Sequence, residues 1–136
     1  AEVAIRVDVL RIELDGGVLE PEATLGLDEF SHVEVVYVFD RVDPASVCTG
    51  ARHPRGREDW PLVGILGQRA KDRPNRIGVT TCRVLAAGPG WIEVRGLDAV
   101  DGTPVLDVKP HLTGFAPRGE VREPAWAVEL MAGYWS

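Results

Sequence analysis

Two charged segments of the chain carry the residue types best suited to holding a polar ligand. The first includes Arg69, Arg73 and Asn75, and the second includes Asp101 and Lys109. Guanidinium groups match carboxylates and phosphates, and carboxylates attract cationic centres. Both segments are rich in Gly and Pro, which is typical of functional loops held by a rigid scaffold. The residue types therefore predict a site for a polar, charged ligand.

The stretch from Arg52 to Arg76 is locally basic, although the chain of 136 residues has a net charge of −6. Lys and Arg together outnumber Asp and Glu by seven to three within it. Such an island can steer an anionic ligand even in an acidic protein. A solvated loop with internal ion pairs is the alternative interpretation. The overall acidity argues mildly against an extensive nucleic-acid surface.

The composition is that of an ordinary soluble globular protein. Hydrophobic residues make up 45% and charged residues 26% of the chain, and the length fits a single domain over residues 1–136. No apolar run approaches the ~18 residues that a membrane span needs, and the N-terminus shows no signal-peptide pattern. Cys48 and Cys82 lack metal-binding spacing and are expected to be free thiols. These features predict a cytoplasmic protein with no membrane partner.

Short strands separated by turn residues dominate the expected elements. Periodicity and β-branched residues predict six strands, over residues 3–14, 32–40, 62–66, 78–86, 91–96 and 105–108. One or two helical turns are expected over residues 21–30 and a helix over residues 124–133. Residues 43–60 are expected to form a long irregular loop, which is either functional or disordered.

This pattern predicts a mainly β fold, either a barrel or a sandwich, with short helices and long functional loops. No strand alternates with a long helix, and the sequence contains no GxGxxG, GxSxG or P-loop motif. Rossmann-type nucleotide binding and classical hydrolase or kinase chemistry are therefore not expected.

The aspartates of the second segment, Asp98, Asp101 and Asp107, raise the question of a metal site. Hard cations favour several carboxylates, but neither EF-hand nor dyad spacing accompanies them, so metal is the less favoured interpretation. Asp101 followed by Gly102 is, by itself, typical of a hairpin turn in which two residues have positive φ.

Together the two segments are much more specific than either alone. The run PLVGILGQRAKDRPNRIGV followed by GLDAVDGTPVLDVKPH resembles the TrmO family, also called TsaA-like proteins, over most of residues 25–112. The resemblance implies a single small β-barrel, unlike Rossmann methyltransferases, that uses S-adenosyl-L-methionine. Members of this family typically work as homodimers. They methylate the N6 nitrogen of N6-threonylcarbamoyladenosine beside the anticodon of tRNA.

The resemblance also implies roles for individual residues. The cofactor is expected to contact the two loops that contain Gln68, Arg69, Arg73, Pro74, Asn75, Asp101, Gly102, Thr103 and Pro104. Asp107, Lys109 and His111 are the expected catalytic residues, with His111 a candidate general base. The residues expected to contact the substrate are His53, also a candidate base, and Arg55 and Arg57, which are expected on tRNA phosphates.

Departures from the family pattern keep the acceptor open. Gln68 stands in place of a threonine, Arg76 in place of a proline, and His111 in place of a tyrosine. A tRNA acceptor, a small-molecule acceptor and a non-catalytic S-adenosyl-L-methionine-binding domain are the alternatives. Aromatic residues are enriched in interface cores. The candidate anchors of a homodimer are therefore Trp60, Trp126 and Trp135.

Overall fold

The computed structural model describes residues 9–135. This part of the chain forms the strands β1 (Val9–Glu13), β2 (His32–Val38), β3 (Ala51–Arg52), β4 (Val63–Gly64), β5 (Ile77–Gly88), β6 (Trp91–Arg95) and β7 (Val105–Pro110), and the helix α1 (Ala125–Met131). The described residues divide into two compact units, one of residues 9–38 and 79–112 and one of residues 39–78 and 113–135. A single domain over residues 1–136 stays a prediction.

The first unit is built on a five-stranded antiparallel sheet with the strand order β1-β6-β5-β2-β7. This sheet confirms the mainly β class. A barrel closes only when its first and last strands pair. Within residues 9–135, β1 and β7 are instead the two edges of an open sheet, so the barrel expected from the family resemblance is not confirmed.

Alternation along β2 produces the core of the first unit. Val33, Val35 and Tyr37 are buried, whereas the residues between them are half-exposed. The hydroxyl groups of Tyr37 and Thr80 form a hydrogen bond of 2.8 Å, which satisfies two buried polar groups. Burial of each large apolar side chain stabilises the fold by roughly 1.5–3 kcal/mol. The other buried apolar residues of this unit are Ile12, Cys82, Ile92 and Val94.

Most strand predictions for this unit are confirmed as β2, β5, β6 and β7. Of the strand predicted over residues 3–14, residues 9–13 form β1 and residues 3–8 lie outside the described part of the chain. The helical turns expected over residues 21–30 are two 3-10 turns, Pro21–Thr24 and Leu27–Glu29. Gly26 separates them with a φ of 85°, a left-handed conformation that ends a helix.

The second unit contains little regular structure. The two short strands β3 and β4 pair antiparallel, with Arg52 opposite Val63. The strand predicted over residues 62–66 is correct only for β4, because Ile65–Gly67 turns into a 3-10 turn that buries Ile65. The predicted C-terminal helix is confirmed as α1, with Pro124 at its N-cap. Gly133 lies beyond the helix end with a φ of 71°.

The turn between β5 and β6 brings backbone and indole into close contact. A Cβ atom at Gly88 would lie 2.5 Å from the ring of Trp91. The carbonyl oxygen of Gly88 also accepts a hydrogen bond of 2.6 Å from the hydroxyl of Thr24. Because that bond holds the backbone in place, the turn has no easy way to move away from the ring. Only glycine fits this position without rearrangement.

We predict that Gly88→Ala lowers the free energy of unfolding by about 1–3 kcal/mol, because the added methyl group overpacks against Trp91. Gly16→Ala is the matched control, since no atom lies within 4 Å of its Cβ position. Chemical denaturation of the two variants measures the difference. Equal stabilities would contradict the close packing of this turn.

The buried thiol of Cys82 gives folding a pH dependence. Burial raises the pKa of this thiol from its ordinary value of 9.0 to about 11. Above pH 9 the unfolded chain therefore loses a proton that the folded chain keeps. We predict that the free energy of unfolding falls by about 2–3 kcal/mol as the pH rises from about 9 to 11.

Denaturation curves measured across this pH range test the prediction on the Cys82→Ala variant. This variant should lose the corresponding part of the pH dependence, whereas Cys48→Ala should retain it. Cys48 is the matched control because it is also a free thiol but is only partly buried. An unchanged pH dependence in Cys82→Ala would refute the assignment.

Candidate functional site

A β-bulge in β7 determines which side chains of this strand face away from the core. Tyr37 lies opposite Val105, but the next residue of β2, Val36, lies opposite Asp107. Leu106 is the extra residue between the two pairs. Such a bulge shifts the alternation of side chains by one position. From Asp107 onward, the polar residues of β7 therefore lie on the outer face of the sheet.

The three predicted catalytic residues lie along this outer face. Asp107, Lys109 and His111 alternate along β7 and the position after it, and Glu34 of β2 lies opposite Lys109. The backbone N–H of His111 donates to the carbonyl oxygen of His32 at 3.0 Å, so the pairing continues past the end of the strand. The structure thus brings the three residues into one row, as their spacing requires.

Asp107 and Lys109 form an exposed ion pair. The Lys109 Nζ atom lies 2.7 Å from Oδ2 of Asp107, and the other oxygen of Asp107 accepts a hydrogen bond of 2.8 Å from the backbone of Val108. The hydrogen bond from Lys109 lowers the pKa of the Asp107 carboxyl, and the same contact raises the pKa of the Lys109 ammonium. Both groups therefore stay charged at neutral pH and provide fixed charges rather than mobile protons.

His111 differs from its neighbours because its Nδ1 atom is buried and has no hydrogen-bond partner in the described part of the chain. The nearest carboxylate oxygen, Oε2 of Glu34, is 3.7 Å away. This distance is too long for a hydrogen bond, although such contacts often tighten when a ligand binds. Sequence reasoning did not identify Glu34 as a site residue. The alternation along β2 shows which face of the sheet Glu34 lies on. Only the register of β2 and β7 shows which residues lie near it on the neighbouring strand.

The predicted cofactor loop before β7 begins with a hydrogen-bonded turn. The N–H of Thr103 donates to the carbonyl oxygen of Val100 at 3.1 Å. Gly102 has a φ of 87°, whereas Asp101 keeps a negative φ. This is a type II turn rather than the turn with two positive φ values expected from the sequence. The carbonyl oxygen of Pro104 accepts from the N–H of Val38 at 3.0 Å, which anchors the loop to β2.

In the second unit, two of the predicted cofactor residues hold the backbone together. The Gln68 side-chain amide donates to the carbonyl oxygens of Arg52 and Val63 at 3.0 and 2.9 Å. Nη1 of Arg73 donates to three carbonyl oxygens in the turn after β4. These acceptors belong to Ile65, Leu66 and Gln68. Both side chains thus add donors to backbone carbonyl groups around β3, β4 and the turn that follows. Arg69, Pro74 and Asn75 of the same loop are exposed.

Arg52 and Asp72 form an ion pair that the sequence did not reveal. Both guanidinium Nη atoms contact the carboxylate, and the Nη2–Oδ1 distance is 2.5 Å. The carbonyl oxygen of Asp72 also accepts from the N–H of Cys48 at 2.9 Å. This pair accounts for part of the basic island, as the alternative of internal ion pairs expected.

The three predicted substrate residues lie in one ordered loop, residues 53–60. Nδ1 of His53 lies 2.7 Å from the carbonyl oxygen of Trp60, which fixes the imidazole ring. Arg55 is exposed at the tip of a turn, where its φ is 54°. Arg57 lies over the indole of Trp60, with 3.9 Å from Cζ to the ring centroid. Within residues 43–60, the predicted irregular loop contains the 3-10 turns Pro44–Ser46 and Pro54–Gly56 and the strand β3, and its functional role stays a prediction.

Metal-binding clusters and membrane-spanning helices are both absent from residues 9–135. No group of three or more His, Cys, Asp and Glu side chains within residues 9–135 is arranged to hold a metal ion. No helix in the same range is long and apolar enough to cross a membrane.

The profile of the tRNA-methyltransferase O N-terminal domain matches residues 4–116. The chain belongs to this family. The resemblance drawn from the two charged segments is therefore confirmed. The fold agrees as well: the crystal structure of TrmO from Pseudomonas aeruginosa superposes with a TM-score of 0.66 and 27% sequence identity, over 87% of this chain and 47% of that chain.

Relatives of the family are named for tRNA methylation and for cofactor binding. The tRNA (adenine(37)-N6)-methyltransferase of Homo sapiens is 35% identical over 105 residues, which cover 76% of this chain and 23% of the human protein. A Pyrococcus abyssi protein named "Probable S-adenosyl-L-methionine-binding protein" is 34% identical over 105 residues, covering 75% of this chain and 54% of that protein. The chain thus spans from about a quarter to about half the length of these relatives.

The role of Arg73 in the second unit can be tested by stability. We predict that Arg73→Met lowers the free energy of unfolding by about 1–3 kcal/mol, because the part-buried carbonyl group of Gln68 loses its charged donor. Lys71→Met is the matched control, since Lys71 is exposed two residues away. Chemical denaturation of both variants gives the comparison. A variant Arg73→Met as stable as the control would argue that this guanidinium is free for a ligand.

Proposed function

We propose that this chain is an S-adenosyl-L-methionine-dependent methyltransferase domain that acts on tRNA, with the N6 nitrogen of N6-threonylcarbamoyladenosine as acceptor. The observation that carries the proposal is the row of Asp107, Lys109 and His111 along β7, in a chain that belongs to the TrmO family. The names of the human and Pyrococcus relatives support the reaction and the cofactor.

The donor set of the first unit fits this cofactor. S-adenosyl-L-methionine carries a carboxylate, an ammonium group and a sulfonium centre. Lys109 matches the carboxylate, and Asp101 and Asp107 match the two cationic centres. The buried Nδ1 of His111 is a polar atom that the described residues leave unsatisfied, as expected where a further group completes a site. For Arg69, Pro74 and Asn75, which are exposed in the second unit, the role of cofactor contacts stays a prediction.

When bound, the cofactor supplies a methyl group already activated on a sulfonium. The chain must then align the acceptor nitrogen, exclude water and remove a proton. Asp107 and Lys109 keep each other charged. They orient the carboxylate and the cationic centres of the cofactor. His111 takes the proton: if ligand binding shortens the 3.7 Å contact so that Nδ1–H donates to Glu34, the lone pair of Nε2 is left to accept it. A nitrogen between a purine and a carbamoyl group is weakly nucleophilic. Removal of its proton therefore assists the methyl transfer.

We also propose that the protein acts as a homodimer in the cytoplasm, where a tRNA acceptor would be met. The family resemblance supports the dimer. Trp135 is exposed and remains a candidate anchor, and Trp126 is half-buried. Trp60 is less suited to this role, because its indole N–H already donates to Glu129 at 2.8 Å within the second unit.

A non-catalytic cofactor-binding domain is the second candidate function. The observation that favours it is the name of the Pyrococcus relative, which refers to binding alone. The two candidates share the cofactor and differ in the use of His111. A catalytic domain needs a proton acceptor in this position, whereas a binding domain does not.

Calorimetry with S-adenosyl-L-methionine and mass spectrometry of methylated tRNA distinguish these candidates. We predict that Lys109→Met weakens cofactor binding by about 1–3 kcal/mol, the usual loss for a charged hydrogen bond. We predict that His111→Gln leaves cofactor affinity nearly unchanged but slows methyl transfer by about 100-fold or more, as expected for loss of a general base. Lys71→Met should change neither quantity.

Three results would change the assignment. Absence of cofactor binding in folded protein would refute the proposed function and leave the family and fold. Cofactor binding without methylation of tRNA that contains N6-threonylcarbamoyladenosine would favour the binding domain. Normal turnover in His111→Gln would remove this residue from the mechanism.

A further inference from the structure

The guanidinium group of Arg57 is held as a flat platform on the surface of the second unit. One face lies over the indole of Trp60, 3.9 Å from Cζ to the ring centroid. Its edge is occupied by Asp59, whose carboxylate accepts from Nε at 3.0 Å and also from Nη2. The Arg57 side chain is nevertheless 51% exposed. We infer that a ligand would reach the guanidinium from the side opposite the indole, because Trp60 and Asp59 cover the other approaches.

The support beneath this platform is rigid. Trp60 is only 4% exposed, and its Nε1–H donates to Oε2 of Glu129 in α1 at 2.8 Å. Its backbone N–H donates to the carbonyl oxygen of Arg57 at 3.2 Å, and its own carbonyl oxygen lies 2.7 Å from Nδ1 of His53. Because the Trp60 residue is fixed at both ends, Arg57 is already ordered above it before a ligand binds. Little conformational entropy is therefore lost on binding.

The electrostatics of this group favour stacking over phosphate binding. The hydrogen bond from Arg57 lowers the pKa of Asp59, and the same contact raises the pKa of Arg57, so both are ionised. Their charges largely cancel for a ligand at the surface. A phosphate would also have to compete with the carboxylate for the same N–H groups. The open π face, by contrast, stays accessible to a planar ring.

Arg55, two residues earlier, has the opposite character. It is exposed and has no charged or hydrogen-bond partner among the described residues. The turn Pro54–Arg57 is closed by a hydrogen bond of 3.0 Å from the N–H of Arg57 to the carbonyl oxygen of Pro54. Arg55 and Gly56 both have positive φ in this turn. A left-handed conformation is unfavourable for arginine, and here it presents an uncompensated cation at the turn tip.

We propose that the loop of residues 53–60 binds an unpaired nucleotide of RNA, with the base stacked on the exposed face of Arg57 and a neighbouring phosphate contacted by Arg55. Unpaired bases commonly stack on arginine planes in RNA recognition. Stacking tolerates any base, because every base has a π face. The inference rests on the proposed tRNA substrate, and it divides the two arginines between two kinds of contact.

A pair of substitutions at Arg57 separates stacking from phosphate binding. Arg57→Gln keeps a planar group and removes the charge, whereas Arg57→Lys keeps the charge and removes the plane. The RNA probe is an anticodon stem-loop that carries 2-aminopurine, a fluorescent base, in the unpaired loop. If the base stacks, Arg57→Lys should bind the RNA about tenfold more weakly than the unaltered protein does. Arg57→Gln should lose less affinity than Arg57→Lys. Arg57→Lys should also lose the fluorescence change on binding.

Arg55→Asn is the matched control for the charged contact, because asparagine tolerates positive φ. It should lower the slope of log affinity against log salt concentration by about 0.7–1 and keep the fluorescence change. Arg57→Lys should leave that slope unchanged. Thermal unfolding of each variant checks that the loop remains folded.

The outcomes that overturn the stacking proposal differ from those that refute the tRNA substrate. Weaker binding of Arg57→Gln than of Arg57→Lys, with a reduced salt slope, would make Arg57 a phosphate contact. Unchanged affinity in both variants would place the RNA elsewhere. If the unaltered protein binds no RNA at low salt, the tRNA acceptor itself is wrong, and the stacking proposal is overturned with it.

Discussion

The charged face of β7 depends on one extra residue, Leu106. In uninterrupted antiparallel pairing, Asp107 would lie opposite Val35, which is fully buried. The bulge moves Asp107 by one position, opposite the half-exposed Val36. Without it, the carboxylate would point to the core side of the sheet, where an ion loses several kcal/mol of hydration. The first unit can therefore combine an apolar core and a charged row on neighbouring strands only because this bulge is present.

The second unit solves a different physical problem, because it has few ladder hydrogen bonds. The turns around its short strands need further donors to hold the backbone together. Long polar side chains take this role: Gln68 bridges two strand ends, and Arg73 reaches three carbonyl oxygens. Charged residues of the first segment thus partly serve to hold its own backbone in place. The exposed Arg69 and Asn75 then depend on that scaffold for their positions.

The sequence was most informative where local pattern decides structure. Alternation predicted β2, and proline and glycine bounded α1, because both signals act within a few residues. It was less informative where a contact distant in the chain competes. Ile65 leaves the predicted strand because burial and a 3-10 turn prevail over its β propensity. The Asp101-Gly102 turn was assigned the wrong type because the dipeptide fits several turns and the flanking strands are not a hairpin pair.

The candidate site shows the same division between local and distant information. The sequence predicted a strand only over residues 105–108, whereas β7 continues to Pro110 and places Asp107, Lys109 and His111 on one face. The proximity of Glu34 to His111 depends on the register of β2 and β7, which are distant in sequence, and no single-sequence pattern supplies that register. Likewise, residue type alone could not show that Arg57 is neutralised by Asp59 while Arg55 is not.

Arg76 shows how a departure from a family pattern can alter a loop. The pattern has proline here, but Arg76 has a φ of 52°, which a pyrrolidine ring cannot adopt. Its N–H donates to the carbonyl oxygen of Arg73 at 3.0 Å, a bond that proline cannot form. Its carbonyl oxygen accepts from Phe39 at 2.8 Å. The backbone after Asn75 therefore follows a path that the family proline would forbid.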